Sequence, residues 1–281
     1  MEAQCPALKK NVIEFDKEVG KAIYQTPMDD EAAHIAARKE LEKQMCQALK
    51  DEANTKPTCP LGTAVYGDKP VPASWGKFGI SNIWAAQGNT IPATFWMIAY
   101  ILSVPEVHAR VVAEVREKFS CMPDKDGHFD YDELVYMDAC FKESMRIKAT
   151  GAEFRIVLED HVIELSTGQK YRVKKGEELY NSSYFQHHSE KIWKEPELYN
   201  PERWLTEKRR LEEYQYLPFG AGEHVCAGRF LAKAEIMVFG ALLFRDFDIR
   251  LSSEWPGTLW ENAIGVVRPD KGLFFEFKKR V

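Results

Sequence analysis

One stretch concentrates residues able to do chemistry. Phe219-Gly220-Ala221-Gly222-Glu223-His224-Val225-Cys226-Ala227-Gly228 carries a cysteine through a glycine-bearing turn to the head of an amphipathic run, Ala227 to Phe244, that reads as a helix. Unpaired N–H groups and the positive end of the helix dipole favour an anion there. Of the chain's cysteines, Cys226 is therefore the one best placed to be a thiolate. Glycines at 220, 222 and 228 remove side chains that would keep a flat ligand from the backbone, and Phe219 can shield the sulfur from water.

A thiolate held this way is a candidate axial ligand of haem iron, where it pushes electron density onto the metal and favours O–O cleavage. His224, two residues earlier, can donate to a haem propionate. Two other readings stay open on these residues alone. Cys226 can be a buried structural cysteine, or the turn can bind phosphate, since Gly220-Ala221-Gly222 begins a dinucleotide fingerprint. The third glycine and a clear preceding strand of that fingerprint are missing. Cys5-Pro6 and Cys59-Pro60 are weaker candidates for loose haem contact.

Two further constellations fall on helical patterns. Glu143 and Arg146 stand three apart within a run from Asp132 to Ile147, so they share a face and can pair. Ala86, Asn89, Thr90, Ala93 and Thr94 put small and hydroxylated groups on one side of an uncharged run, a face able to flank a flat cofactor. Each pattern taken singly is common: a solvated ion pair in the first case, a core helix in the second.

These residues need elements to position them. A charge-rich helix is expected from Asp29 to Leu49, then a Pro- and Gly-punctuated loop from Lys56 to Pro72. Phe78 to Pro105 holds no charged residue, but only Ile91 to Leu102 is densely apolar, too short to cross a bilayer. A long buried helix is expected, loosened just above Thr90 by Pro92, which has no N–H. Pro105 opens a further helix to about Phe119, and Asp130 with Glu133 resembles a capping box for the helix that ends at Ile147. Short β-like runs follow at Phe154–Leu158, Val162–Leu165 and Tyr171–Val173, with Thr167-Gly168 and Lys175-Gly176 as turns. A proline-rich loop, Glu195 to Pro218, leads into the cysteine turn, and Leu273–Phe277 reads as a last strand. The fold class is mainly α with a small β region.

Composition narrows the function further. The 281 residues carry 38 Lys and Arg against 43 Asp and Glu, a net charge of -5, without the basic excess of a dedicated nucleic-acid binder. The six cysteines form no C-x-x-C pair, which fits neither a zinc ribbon nor a secreted disulfide framework and points to a reducing compartment. Met1 to Lys10 lacks the apolar core of a signal peptide or N-terminal anchor.

F-G-x-G-x-x-x-C-x-G, as it stands from Phe219 to Gly228, resembles the haem-binding signature of the cytochrome P450 monooxygenases. The E-x-x-R pair and Pro201-Glu202-Arg203-Trp204, similar to the family's P-E-R-F element with Trp204 for the usual Phe, occur in the expected order. Ala86-Gln87-Gly88-Asn89-Thr90 is similar to the family's A-G-x-acid-T run, with Gln87 for the glycine and Asn89 for the acid. Trp84 to Trp96 resembles the branch containing sterol 7α-hydroxylase, sterol 12α-hydroxylase and prostacyclin synthase.

The resemblance implies a P450 fold over residues 1–281 that lacks its N-terminal helices and membrane anchor. It also implies haem b with Cys226 on the iron, a Glu143, Arg146, Arg203 network behind it, and Thr90 passing protons to dioxygen beside Asn89. Asn89 has no acidic proton, so water must carry more of the relay. The implied reaction is hydroxylation of an apolar lipid or sterol, with electrons from NADPH through a reductase or a ferredoxin-type donor. Full-length relatives of this kind sit on the cytoplasmic face of the endoplasmic reticulum. Rearrangement of a lipid peroxide without a reductase is the alternative chemistry, and a truncated non-catalytic chain the alternative to an enzyme. A carboxylate clamped between two guanidiniums is directional, and removing one partner costs about 3–5 kcal/mol because charge is left unpaired. Glu143→Ala or Arg146→Ala is therefore expected to abolish haem incorporation, read as loss of the haem absorbance band.

Overall fold

A computed structural model describes residues 75–119, 124, 129–205, 214–259 and 265–280, with side chains from 84 onward, and a few positions between 32 and 43. Positions 35–41 are helical, within the expected Asp29–Leu49 helix. The loop Lys56–Pro72 and both Cys-Pro pairs lie outside the described residues. The backbone forms two compact units, Met1–Ile91 and Pro92–Val281.

Helix α1, Trp75–Ser103, runs through Pro92 as one element, and the unit boundary falls at that proline. In the second unit, Trp96, Met97, Ala99 and Ile101 of α1 are fully buried. Trp96 donates its indole N–H to the Val267 carbonyl at 2.8 Å, which settles its one polar atom. Among the described residues no single helix is long and apolar enough to cross a membrane.

Helix α2, Pro105–Lys118, starts on the proline as expected, with Glu106 in its first turn and Arg116 and Lys118 in its last, both matched to the dipole. It buries Val107, Val111 and Val115, a single stripe at four-residue spacing. Helix α3, Val135–Lys148, buries most of its 14 residues, including Glu143 and Arg146. It begins later than the capping-box pattern suggested. Asp130 and Glu133 lie in the preceding turn, Leu134 is the N-cap without a side-chain bond, and the helix extends one residue past Ile147. The cap comes from elsewhere. Glu114 of α2 accepts from the backbone N–H groups of Tyr136 at 2.8 Å and Met137 at 2.9 Å.

After α3 come four strands paired as two antiparallel ribbons: β1, Ala152–Ile156, with β4, Glu178–Ser182, and β2, His161–Glu164, with β3, Lys170–Val173. Gly168 and Gly176 turn at φ +79° and +87°, as the turn pairs predicted. β4 is not legible in the sequence because Glu-Leu-Tyr-Asn-Ser carries no clean alternation. A short helix α4, Ser183–His187, follows, then 3-10 turns at Pro201–Trp204 and Gly222–His224. Helix α5, Arg229–Asp246, ends the helical part. Two more ribbons close the chain: β5, Phe247–Leu251, with β8, Phe275–Lys279, and β6, Thr258–Leu259, with β7, Arg268–Pro269.

Helices α2, α3, α5 and the buried half of α1 share one apolar core, in which Met97, Val111, Met137, Cys140, Ile236 and Phe244 are fully enclosed. Burial of each such side chain contributes about 1.5–3 kcal/mol. A Cβ at Gly240 of α5 would collide with the methyl of Met137 and approach that of Met97, so the glycine lets those side chains close over α5. The fold thus agrees with a mainly helical chain bearing small β ribbons.

Because Glu114 supplies the cap that α3 lacks, Glu114→Ala is expected to lower the unfolding free energy by about 1–2 kcal/mol, and Glu114→Gln, with one acceptor left, by less. Urea titration of the two variants checks the order.

Candidate thiolate loop and its scaffold

The cysteine turn is built as its glycines suggested. Gly220 and Gly222 adopt φ +75° and +68°, a left-handed backbone that side chains disfavour. Cys226 N–H donates back to the Phe219 carbonyl at 2.9 Å and Val225 N–H to Gly222 at 3.2 Å, so the turn folds on itself. Cys226 precedes the helix cap, Gly228, by two residues, and its carbonyl accepts from Arg229 N–H at 3.4 Å and Arg229 Nη1 at 3.0 Å.

The Cys226 thiol is free and exposed, so it is not the buried structural cysteine of the alternative reading; Cys140 is that residue. Burial pushes the Cys140 thiol up to about 12 and leaves it inert. Phe219 is half-buried against the helical core, and His224 is exposed at the end of its 3-10 turn. A Cβ at Gly228 would stand 3.9 Å from Cys226 Sγ, so this glycine keeps the sulfur's near side bare. Among the described residues no group of three or more His, Cys, Asp or Glu side chains gathers to hold a metal ion. One open sulfur is the donor set of a metal whose remaining ligands belong to a prosthetic group, and the loop fits haem on those terms.

Two side chains that the sequence did not single out tie down the chain leading to Cys226. His187, at the end of α4, is buried, and its Nε2 accepts from Leu217 N–H at 2.9 Å. Glu153 of β1 accepts from Ala221 N–H at 2.6 Å through Oε1. Neither belongs to a sequence motif, and each meets the loop across a long stretch of chain. Arg155, two residues on from Glu153 and so on the same side of β1, is half exposed beside it.

Behind the loop, Glu143, Arg146 and Arg203 come together as the motifs implied. Glu143 Oε1 accepts from Arg146 Nη2 at 2.9 Å, Arg203 Nε at 3.0 Å and Asn200 N–H at 3.1 Å. Its Oε2 accepts from Arg146 Nε at 2.9 Å and from Trp204 Nε1 at 3.0 Å. Trp204 thus adds a donor that a phenylalanine would lack. The guanidiniums spend their other N–H groups on carbonyls: Arg146 on His187 at 2.7 Å and Pro196 at 2.6 Å, Arg203 on Lys194 at 2.5 Å and Glu195 at 2.8 Å. Glu195 sits at φ 50°, the one non-glycine residue with positive φ among those described, and its carbonyl is one of those received by Arg203.

Asn89 and Thr90 lie on α1 in the first unit, helical and half-buried like Ala86, while Ala93, buried, and Thr94 continue the same helical spacing in the second unit. Cys226 belongs to the second unit.

Burial, and then the charge of Arg146, lower the His187 pKa from 6.5 to about 3. The unfolded chain therefore binds a proton between those values that the folded chain refuses. The contribution is complete above pH 6.5 and falls by about 1.4 kcal/mol for each unit below it. His187→Gln is expected to flatten the acid slope of stability in this window, measured by chemical unfolding of both proteins from neutral pH downward.

Comparison with known proteins follows the same residues. The family described as Cytochrome P450 matches residues 78–277. The 24-hydroxycholesterol 7-alpha-hydroxylase of Homo sapiens is 29% identical over 213 residues, 73% of this chain and 44% of that protein. The 5-beta-cholestane-3-alpha,7-alpha-diol 12-alpha-hydroxylase of Sus scrofa is 30% identical over 203 residues, 64% of this chain and 39% of that protein. A steroid 17-alpha-hydroxylase/17,20 lyase of Ictalurus punctatus is 33% identical over 186 residues, 63% of this chain and 34% of that protein. The chain thus spans less than half the length of these relatives. Since the matched span contains the cysteine turn, the buried Glu143 network and the α1 run around Thr90, the chain belongs to the cytochrome P450 family.

Proposed function

We propose that this chain carries the haem-thiolate chemistry of a monooxygenase that hydroxylates an apolar lipid, a sterol before others. The observation that carries the reading is the exposed Cys226 thiol, presented by a self-bonded glycine turn whose approach is tied to the buried network. The relatives support the substrate class, because their names specify hydroxylation of cholesterol derivatives and steroids.

In this reading Cys226 would supply the thiolate that holds the iron of haem b, and Gly220, Gly222 and Gly228 keep side chains off the approach. His224 would offer an N–H donor and Arg155 a cation to the carboxylates of the haem. When bound, haem supplies one-electron chemistry and O–O bond cleavage, which a thiolate ligand favours. Phe219 closes the core side of the turn to water. Thr90 holds and passes a proton from its hydroxyl, and Asn89 orients water through its carboxamide instead of donating as an acid. The balance is that of hydroxylation. One oxygen atom enters a substrate C–H bond and the other leaves as water, with two electrons from NADPH through a reductase or a ferredoxin-type donor and two protons, of which NADPH accounts for one and solvent for the other.

Rearrangement of a lipid peroxide requires no delivered proton, so the hydroxyl of Thr90 favours hydroxylation. An apolar sterol partitions into membranes, which supports work at the cytoplasmic face of the endoplasmic reticulum membrane.

The test is reconstitution of the chain with haem and the spectrum of its reduced carbon monoxide complex. A thiolate-shifted band is expected, and Cys226→Ser should abolish it; equal occupancy and colour in that variant would overturn the reading. Consumption of NADPH and dioxygen with a sterol and a reductase is expected, whereas turnover of a lipid peroxide without NADPH would assign the rearrangement chemistry instead.

A further inference from the structure

The loop that delivers Cys226 is held from outside by one carboxylate. Glu153 Oε1 takes the Ala221 N–H at 2.6 Å, and the same oxygen would lie 2.9 Å from a Cβ on Gly220. The carboxylate therefore occupies the space the glycine leaves, and a side chain at 220 would push it out. Among the described residues, the cation that pairs with Glu153 is Arg155, whose Nη2 stands 4.0 Å from the other oxygen, Oε2, beyond hydrogen-bond reach and half exposed. A backbone N–H bonded to a carboxylate is charge-assisted, stronger than a neutral pair. Glu153 thus does two things at once: it orders the turn, and it sets a negative charge against the backbone five residues ahead of the sulfur.

We infer that Glu153 is a positioning residue for the thiolate turn, and that its charge lowers the reduction potential of iron held by Cys226. The inference rests on the haem-thiolate reading above. Its physical basis is electrostatic: adding an electron to a centre near a fixed anion is opposed, and part-buried surroundings screen that opposition less than water does. A glutamine at 153 keeps an acceptor oxygen for Ala221 without the charge, so the two roles separate.

The full chain with Glu153→Ala and with Glu153→Gln is measured three ways. Amide hydrogen exchange without haem is expected to quicken at Ala221 by about tenfold or more in Glu153→Ala, the loss of a hydrogen bond to a charged acceptor, with core amides such as Met237 unchanged as the folding control. Exchange in Glu153→Gln should fall between the parent and Glu153→Ala, because a neutral acceptor remains. In the haem-loaded proteins, the ferric/ferrous midpoint, titrated with a chemical reductant, should move positive in Glu153→Gln, while Glu153→Ala should release haem faster. Unchanged exchange at Ala221 in Glu153→Ala overturns the positioning role, and an unmoved midpoint in Glu153→Gln overturns the electrostatic one. A chain that takes up no haem in parent or variant sinks the haem-thiolate reading, and with it the potential, while the exchange at Ala221 still decides whether Glu153 orders the turn.

Discussion

A single buried carboxylate organises the second unit. Glu143 receives five donors, from two guanidiniums, one indole and one backbone amide, and is closed from solvent. A charge buried to that depth is tolerable only when its lone pairs are filled, so the groups that fill them are fixed in place by the same requirement. Arg146 and Arg203 in turn collect the carbonyls of His187, Pro196, Lys194 and Glu195, and this orders a segment that has no helix or sheet ladder of its own. The irregular stretch between α4 and the 3-10 turn at Pro201–Trp204 is thus laid down by electrostatics where most of the fold is laid down by apolar burial.

From that segment the order passes to the cysteine turn. Arg146 holds the His187 carbonyl while the same residue's ring accepts from Leu217, which leads into Phe219. Burial, and then the guanidinium beside it, keep the imidazole neutral and so keep Nε2 an acceptor. The network acts on the sulfur only through backbone; it makes the turn arrive in one place. At the far side of α3, Glu202 of the 3-10 turn pairs with Arg110 of α2 at 2.6 Å, and Arg110 lies over the Tyr136 ring at 3.8 Å. The motif is therefore pinned on two sides by different means, a buried clamp within and an exposed pair without.

Position by position, legibility followed range. The start of α2 at Pro105, the stripe Val107, Val111, Val115, and the turns at Gly168 and Gly176 were readable because each depends on residues a few places apart. The start of α3 was misread because its cap is Glu114, a residue of another helix, and no local pattern can announce a partner 22 residues away along the chain. Strand β4 escaped notice because it is fixed by pairing with β1, Phe154 against Tyr180, more than by its own alternation. Trp204 looked like a departure from the family pattern, and only its indole N–H bond to Glu143 shows what the exchange does.

By itself the amino-acid order determined which sulfur could serve as a ligand, which carboxylate and guanidiniums could pair, and the class of fold, since those follow from residue type, glycine placement and helical period. Only the tertiary structure decided that His187 and Glu153 hold the approach to Cys226, that Cys140 is sealed while Cys226 is open, and that the Glu143 carboxylate is filled by five donors. The reason is physical. Solvent exposure and hydrogen-bond partnership between residues dozens of positions apart are properties of the packed chain, and a linear order carries them only through motifs already known to travel together.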